Sequence, residues 1–138
     1  SKFARDAAEA HDKITRAATL DFFSGTIKST PVGNPDLWQM PAPPGYVGGR
    51  ARGAWTVGVG TEPASSPERI DAEGAAAIAE VEAKTPQGAG QEVFMINSLP
   101  YIEKLEFGHS KQAPAGMIRI NLARVQRIVK AAIAKFKV

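Results

Sequence analysis

His109 and Ser110 stand side by side, and Glu106 precedes the histidine by three residues. A serine, an imidazole and a carboxylate are the parts of a nucleophilic hydrolase, in which the base takes the hydroxyl proton and the acid orients the base. Direct neighbours in sequence rarely aim one side chain productively at the other, however. Ser110 also lacks the G-x-S-x-G elbow that lifts such a nucleophile out of the backbone. Glu103 and Glu106 are three apart, so a helical turn over 101–107 puts both carboxylates on one face. Paired carboxylates serve acid–base chemistry, but a Glu-x-x-Glu on a short helix is expected to be solvated. The other histidine, His11, falls in a first helix. Two isolated histidines without H-E-x-x-H spacing, in a chain with no cysteine, give no metal site. The pattern therefore assigns no catalytic residue, no metal and no cofactor, and the chain reads as a non-enzyme.

The glycines of "GYVGGRARG" match neither the P-loop nor the dinucleotide fingerprint, and they precede a strand instead of following one. Charge is more informative. Residues 1–109 carry 10 Lys/Arg against 14 Asp/Glu, while residues 110–138 carry 7 Lys/Arg and no acid. A basic end of this kind suits an acidic partner, either nucleic acid or the acidic face of another subunit, and equally suits a solvated helix face. Arg124, Arg127 and Lys130 on the last helix are the candidate contacts. No helix-turn-helix, zinc finger or RNA-binding signature accompanies them, so any DNA contact would be independent of sequence.

The elements that must position these residues follow from periodicity. Phe3, Ala7, Ala10, Ile14, Ala17/Ala18 and Phe22 step by three and four, which predicts a long first helix ending at Ser24-Gly25. Residues 28–52 hold five prolines and four glycines and read as one long loop carrying Trp38 and Tyr46. Large aromatics in a loop either pin it to its own core or anchor a partner. "GAWTVGVG" (53–60) alternates as a half-buried strand with Trp55 in the core. Residues 71–84 form a short alanine-rich helix with Asp71 near its cap, and "QEVFMINS" (91–98) is a second strand. Pro100, Gly108, Pro114 and Gly116 shape a rigid elbow that presents His109, Lys111 and Gln112 outward. "MIRI" is expected as a third strand, with Asn121 capping a final helix over 122–137.

The predicted fold class is α+β: a single domain, 1–138, with a small antiparallel sheet flanked by a long N-terminal helix, a short middle helix and a C-terminal helix. With 43% hydrophobic and 22% charged residues the composition is globular. No apolar run reaches the length of a membrane span, and "SKFARDAAEAHDK" is charged and unlike a signal peptide, so the expectation is a cytoplasmic protein.

"NSLPYIEKLEFGHSKQAPAGMIRI" resembles a segment written N-x-L-P-Y-x-x-x-L-E-x-G-x-S-x-Q-A-P-x-G-M-x-R in the neck, or tail-completion, proteins of long-tailed bacteriophages (head–tail joining, minor tail protein Z-like). "STPVGNPDLWQMPAPPGYVGGRARGAW" is similar to the T-P-V-G-x-P-x-x-W…P-P-G-Y-x-G-G-x-x-R-x-x-W segment of that family, and the small helix "GAAAIAEVEA" between the two also fits. The resemblance implies a structural virion protein of the neck, assembled in the host cytoplasm and forming a ring, expected as a hexamer, around the DNA channel. It implies as partners further copies of the chain, head-closure or connector proteins, tail terminator or tail tube proteins, and the genomic DNA in the lumen, with no membrane. The family brings no catalytic residues. Trp38, Tyr46, Arg52, His109, Lys111, Gln112 and Arg119 are then the candidate subunit or partner contacts. The alternative function is sequence-independent DNA binding through the basic last helix.

Overall fold

A computed structural model describes residues 1–33, 48–108 and 110–136. Trp38, Tyr46 and His109 lie outside the described residues, as does most of the Pro/Gly-rich loop expected over 28–52.

The first helix, α1 (Lys2–Ser29), is capped at its start by Ser1, whose hydroxyl accepts from the Ala4 amide at 3.2 Å. It does not stop at Ser24-Gly25 as the sequence suggested. Gly25 sits inside the helix, and a β-carbon there would lie 2.4 Å from Asn121 Oδ1. Its glycine serves close approach of a later element and not termination. The helix ends at Thr30, which turns extended, a backbone that suits the residue ahead of Pro31.

A single turn, α2 (Arg50–Gly53), leads into β1 (Thr56–Val59). The third helix, α3 (Ala75–Lys84), begins later than the 71–84 span predicted, with Gly74 at its N-cap, and Asp71 just ahead accepts from the Ala77 amide of its first turn at 2.9 Å. Strand β2 (Val93–Ile96) pairs antiparallel with β1, in a register running from Thr56 opposite Ile96 to Val59 opposite Val93. Short helices α4 (Ile102–Glu106) and α5 (Ile118–Leu122) follow, and α6 (Val125–Lys135) closes the described chain.

The architecture is α+β as predicted: a two-stranded antiparallel sheet with a long N-terminal helix and shorter helices around it. The third strand is not formed. "MIRI" winds into α5, and Asn121 lies within that helix instead of capping α6. A four-residue apolar run carries no period of its own, so the decision falls to its neighbours. Glu106 offers a carboxylate to the three amides that open the turn, and a helix start accepts such an offer.

Helix α1 is the spine against which α6, α3 and α5 pack, and α3 covers β1. Ile27, Trp55, Val57, Ala77, Val81, Ala113 and Met117 form the main core, with Phe23, Val93, Met95 and Leu105 packed around it. Trp55 is buried as expected, but it precedes β1, which is shorter than the 53–60 span predicted. Ala51, Ala54 and Leu99 make a smaller cluster beneath the elbow, and Ile102 and Leu105 touch both. Among the described residues no helix is long and apolar enough to cross a membrane.

Candidate functional site

The described parts of the two stretches that carry the resemblance are far apart in sequence and touch in space. Gln112 makes the join. Its Oε1 accepts from the Val32 amide at 3.0 Å, and its Nε2 donates to the Val32 carbonyl at 2.8 Å, so one side chain reproduces the pairing of a β-bridge. Ser110 supports it, accepting from the Gln112 amide at 3.2 Å. Asn97 adds a second join: its amide donates to the Ala51 carbonyl at 2.9 Å, and its oxygen accepts from the Leu99 amide.

Arg52 locks the first stretch onto the end of α1. Nε donates to Thr30 O at 2.7 Å, Nη2 to Lys28 O at 2.8 Å and Nη1 to Ala72 O at 2.8 Å. A planar guanidinium suits three carbonyls arrayed in this way, and a lysine does not. Lys28 and Thr30 lie at the C-terminal end of α1, where the helix dipole favours a cation. Trp55 Nε1 donates to Thr30 Oγ1 at 2.8 Å, and Thr30 Oγ1 in turn donates to the Thr26 carbonyl. Both Trp55 and Thr30 are buried, so the indole N–H has found the partner that burial requires.

Glu106 is not the solvated carboxylate its spacing suggested. Oε1 accepts from the amides of Met117 and Ile118 at 2.9 and 2.8 Å, while Oε2 accepts from the Arg119 amide and from Arg119 Nε at 3.1 and 3.0 Å. Arg119 Nη2 also donates to the Glu106 carbonyl, and its guanidinium lies 5.1 Å above the Phe107 ring. Burial alone pushes the Glu106 carboxyl up. The backbone amides of Ile118, Met117 and Arg119 and the Arg119 side chain outweigh it and hold the carboxyl below its ordinary value. A carboxylate with both oxygens engaged this way is an architectural clamp.

A second carboxylate is clamped more strongly. Glu80 on α3 receives Thr56 Oγ1 at 2.6 Å, the Val57 amide at 3.0 Å, Lys84 Nζ at 3.0 Å and Arg69 Nη1 at 3.0 Å. Arg69 also donates to the carbonyls of Gly53 and Trp55, tying the start of β1 to the preceding loop. Burial raises the Glu80 carboxyl, but the bonds from Thr56, Val57, Lys84 and Arg69 bring it down from 4.5 to about 2. Sequence reasoning passed over both residues. The Glu80–Lys84 spacing was a signal for one ion pair; Arg69 offered none.

The remaining candidates divide. Arg124 is held inside the chain, donating to Asn121 Oδ1 and pairing with Asp21 of α1 at 3.1 Å. Arg127 and Lys130 are exposed on α6 and have no ion-pair partner among the described residues. Lys111 is exposed at the elbow. Beside the Glu106–Arg119 clamp, Phe107 is 66% exposed, and Ile118 and Leu122, one turn apart on α5, are exposed as well. Among the described residues no group of three His, Asp or Glu is placed to hold a metal ion.

These features define a small α+β fold in which Gln112, Asn97 and Glu106 of the elbow region make internal joins while Phe107, Ile118 and Leu122 are exposed. Comparison with family models, with curated proteins and with solved structures finds no match for this chain.

Proposed function

We propose that this chain is a structural protein of the phage neck, which assembles as a ring around the DNA channel and joins the capsid connector to the tail. The observation that supports it is the join between Gln112 and Val32. The described parts of the two stretches that resemble the neck family are joined here, and Gln112, Asn97 and Arg52 hold backbone in place. Beside that unit, Phe107, Ile118 and Leu122 stand in solvent next to Arg119, which is the kind of patch that subunit contacts cover. Charge favours the same reading. A basic C-terminal segment and a net-acidic remainder suit a head-to-tail contact between copies. The test is electron microscopy of the particle that contains the chain, together with sedimentation of the purified protein alone and with connector and tail-tube rings. The expected result is a ring at the head–tail junction. A protein that stays monomeric with those partners and washes off virions refutes the proposal.

A second reading rests on Arg127 and Lys130, exposed cations without an acidic neighbour among the described residues. They suit the phosphate backbone of DNA. That reading requires binding that weakens steeply with salt, and a shallower salt dependence in the Arg127→Gln/Lys130→Gln double variant. Arg124, paired with Asp21, is expected to contribute little to that slope.

A further inference from the structure

A cleft of about 370 Å³ opens between α1, α6 and the segment running from Thr85 to Val93. Its walls are apolar, formed by Phe22, Phe23, Val93, Val125, Ile128 and Val129, and its polar margin includes Thr15, Thr19 and Gln91. Two buried polar side-chain atoms have no hydrogen-bond partner among the described residues, Arg16 Nε and Thr85 Oγ1, and both belong to residues that line this cleft. Arg16 also has no ion-pair partner among them. Only its Nη2 is engaged, donating to the Glu82 carbonyl in the last turn of α3 at 3.0 Å. Buried polar atoms are normally satisfied, and an orphan donor carries a desolvation cost that a ligand can relieve. The Asp12 carboxylate, one turn earlier on α1, accepts from the Ala89 amide at 2.9 Å beside Gly88 of the cleft margin but makes no ion pair with Arg16, and a carboxylate is the group that the planar fork of Arg16 fits best. The size of the cleft and its apolar walls match those of small-molecule sites.

We infer that this cleft binds a small monocarboxylate with an aliphatic or aromatic body. The apolar body lies against Phe22, Phe23 and Ile128. The carboxylate takes the Arg16 Nε–H, after a small rotation of that side chain toward the cleft, and the Thr85 hydroxyl. This site uses none of the elbow residues on which the assembly reading rests, although Val125, Ile128 and Val129 of the basic helix α6 form part of its wall.

The experiment is a titration of the ¹⁵N-labelled protein with octanoate and, separately, with octan-1-ol, which has the same chain and no charge. Octanoate is expected to shift the amides of Thr15, Arg16, Thr85 and Val93 and to bind at least about tenfold more tightly than the alcohol. Arg16→Gln should remove that ratio while leaving alcohol binding in place. Loss of the Glu82 contact by itself would move stability and not the ratio. Ala18→Phe fills the cleft, leaves both polar groups and should abolish both ligands, so the inference stays testable even where Arg16→Gln folds poorly. Equal affinity for octanoate and octanol, shifts scattered away from the cleft, or an unchanged ratio in Arg16→Gln overturns it.

Discussion

Gln112 and Val32, 80 residues apart, exchange two hydrogen bonds through one side chain and one peptide unit. The Pro31–Gly33 segment therefore hangs on a glutamine in the elbow, and the elbow is anchored in return. Gln112→Ala should cost about 1 kcal/mol of global stability, since both bonds face water and water substitutes for them. The local effect is larger: hydrogen exchange at the Val32 amide should speed up while core amides such as Val81 stay protected. Gln112→Glu should fail to rescue, because a second carboxylate oxygen would face the Val32 carbonyl.

Glu106 organises the start of α5, and its removal leaves amides without partners. The Met117 amide belongs to a fully buried residue. Glu106→Gln is expected to lower unfolding free energy by about 2 kcal/mol, and Glu106→Ala by more, measured by urea denaturation at neutral pH. The same variants should loosen α5 specifically, seen as lost amide protection at Ile118 and Arg119.

Glu80 makes stability depend on pH on the acid side. Its carboxyl falls from 4.5 to about 2 on folding. The unfolded chain thus binds the proton more readily, so the stabilisation is complete above 4.5 and is lost as pH falls toward about 2. The shift corresponds to roughly 3 kcal/mol at neutral pH. Glu80→Gln should be less stable than the parent at pH 7, and the gap should close between pH 5 and pH 2. A gap that stays constant with pH contradicts this assignment. Glu106 adds a smaller slope of the same sign, because its carboxyl is also held low when folded.

Thr30 stands between Trp55 and the end of α1, receiving the indole N–H and passing its own proton to Thr26. Thr30→Val keeps the shape and strands the indole donor in the core, at an expected cost of about 1–3 kcal/mol. Adding Trp55→Phe to Thr30→Val should cost less than the sum of the two single changes, because the second removes the orphan that the first creates.

Gly25 tests the docking of α5 on α1. Alanine is the better helix former by about 1 kcal/mol, so on propensity alone Gly25→Ala should stabilise. Its β-carbon would instead meet Asn121 Oδ1 at 2.4 Å and Arg124 Nη1 at 2.8 Å. The expected outcome of a thermal melt is destabilisation by about 1–3 kcal/mol, and Asn121→Ala should restore part of it.

The sequence by itself determined the elements that have a period. Helix α1 was legible because Phe3, Ala7, Ala10 and Ile14 repeat at helical spacing over many turns, and α6 because Val125, Val129 and Ala132 do the same. Strand β1 was legible in place, but it is shorter than the 53–60 expected and does not alternate: Thr56 and Val57 are both buried, Val59 is exposed and the buried Trp55 precedes the strand; the polarity of charge along the chain needed no coordinates at all. Only the tertiary structure decided the rest. "MIRI" is too short to show a period, and its state was set by Glu106, whose carboxylate reached the amides of a turn eleven residues away. Gln112, Arg52 and Arg69 bond mainly to backbone carbonyls and amides, groups that every residue carries and that leave no mark in a sequence. The cleft beside Arg16 is likewise a product of three segments meeting. Local propensity and periodicity act within a few residues; partnerships with distant backbone depend on where the chain returns, and that is settled only when the core closes.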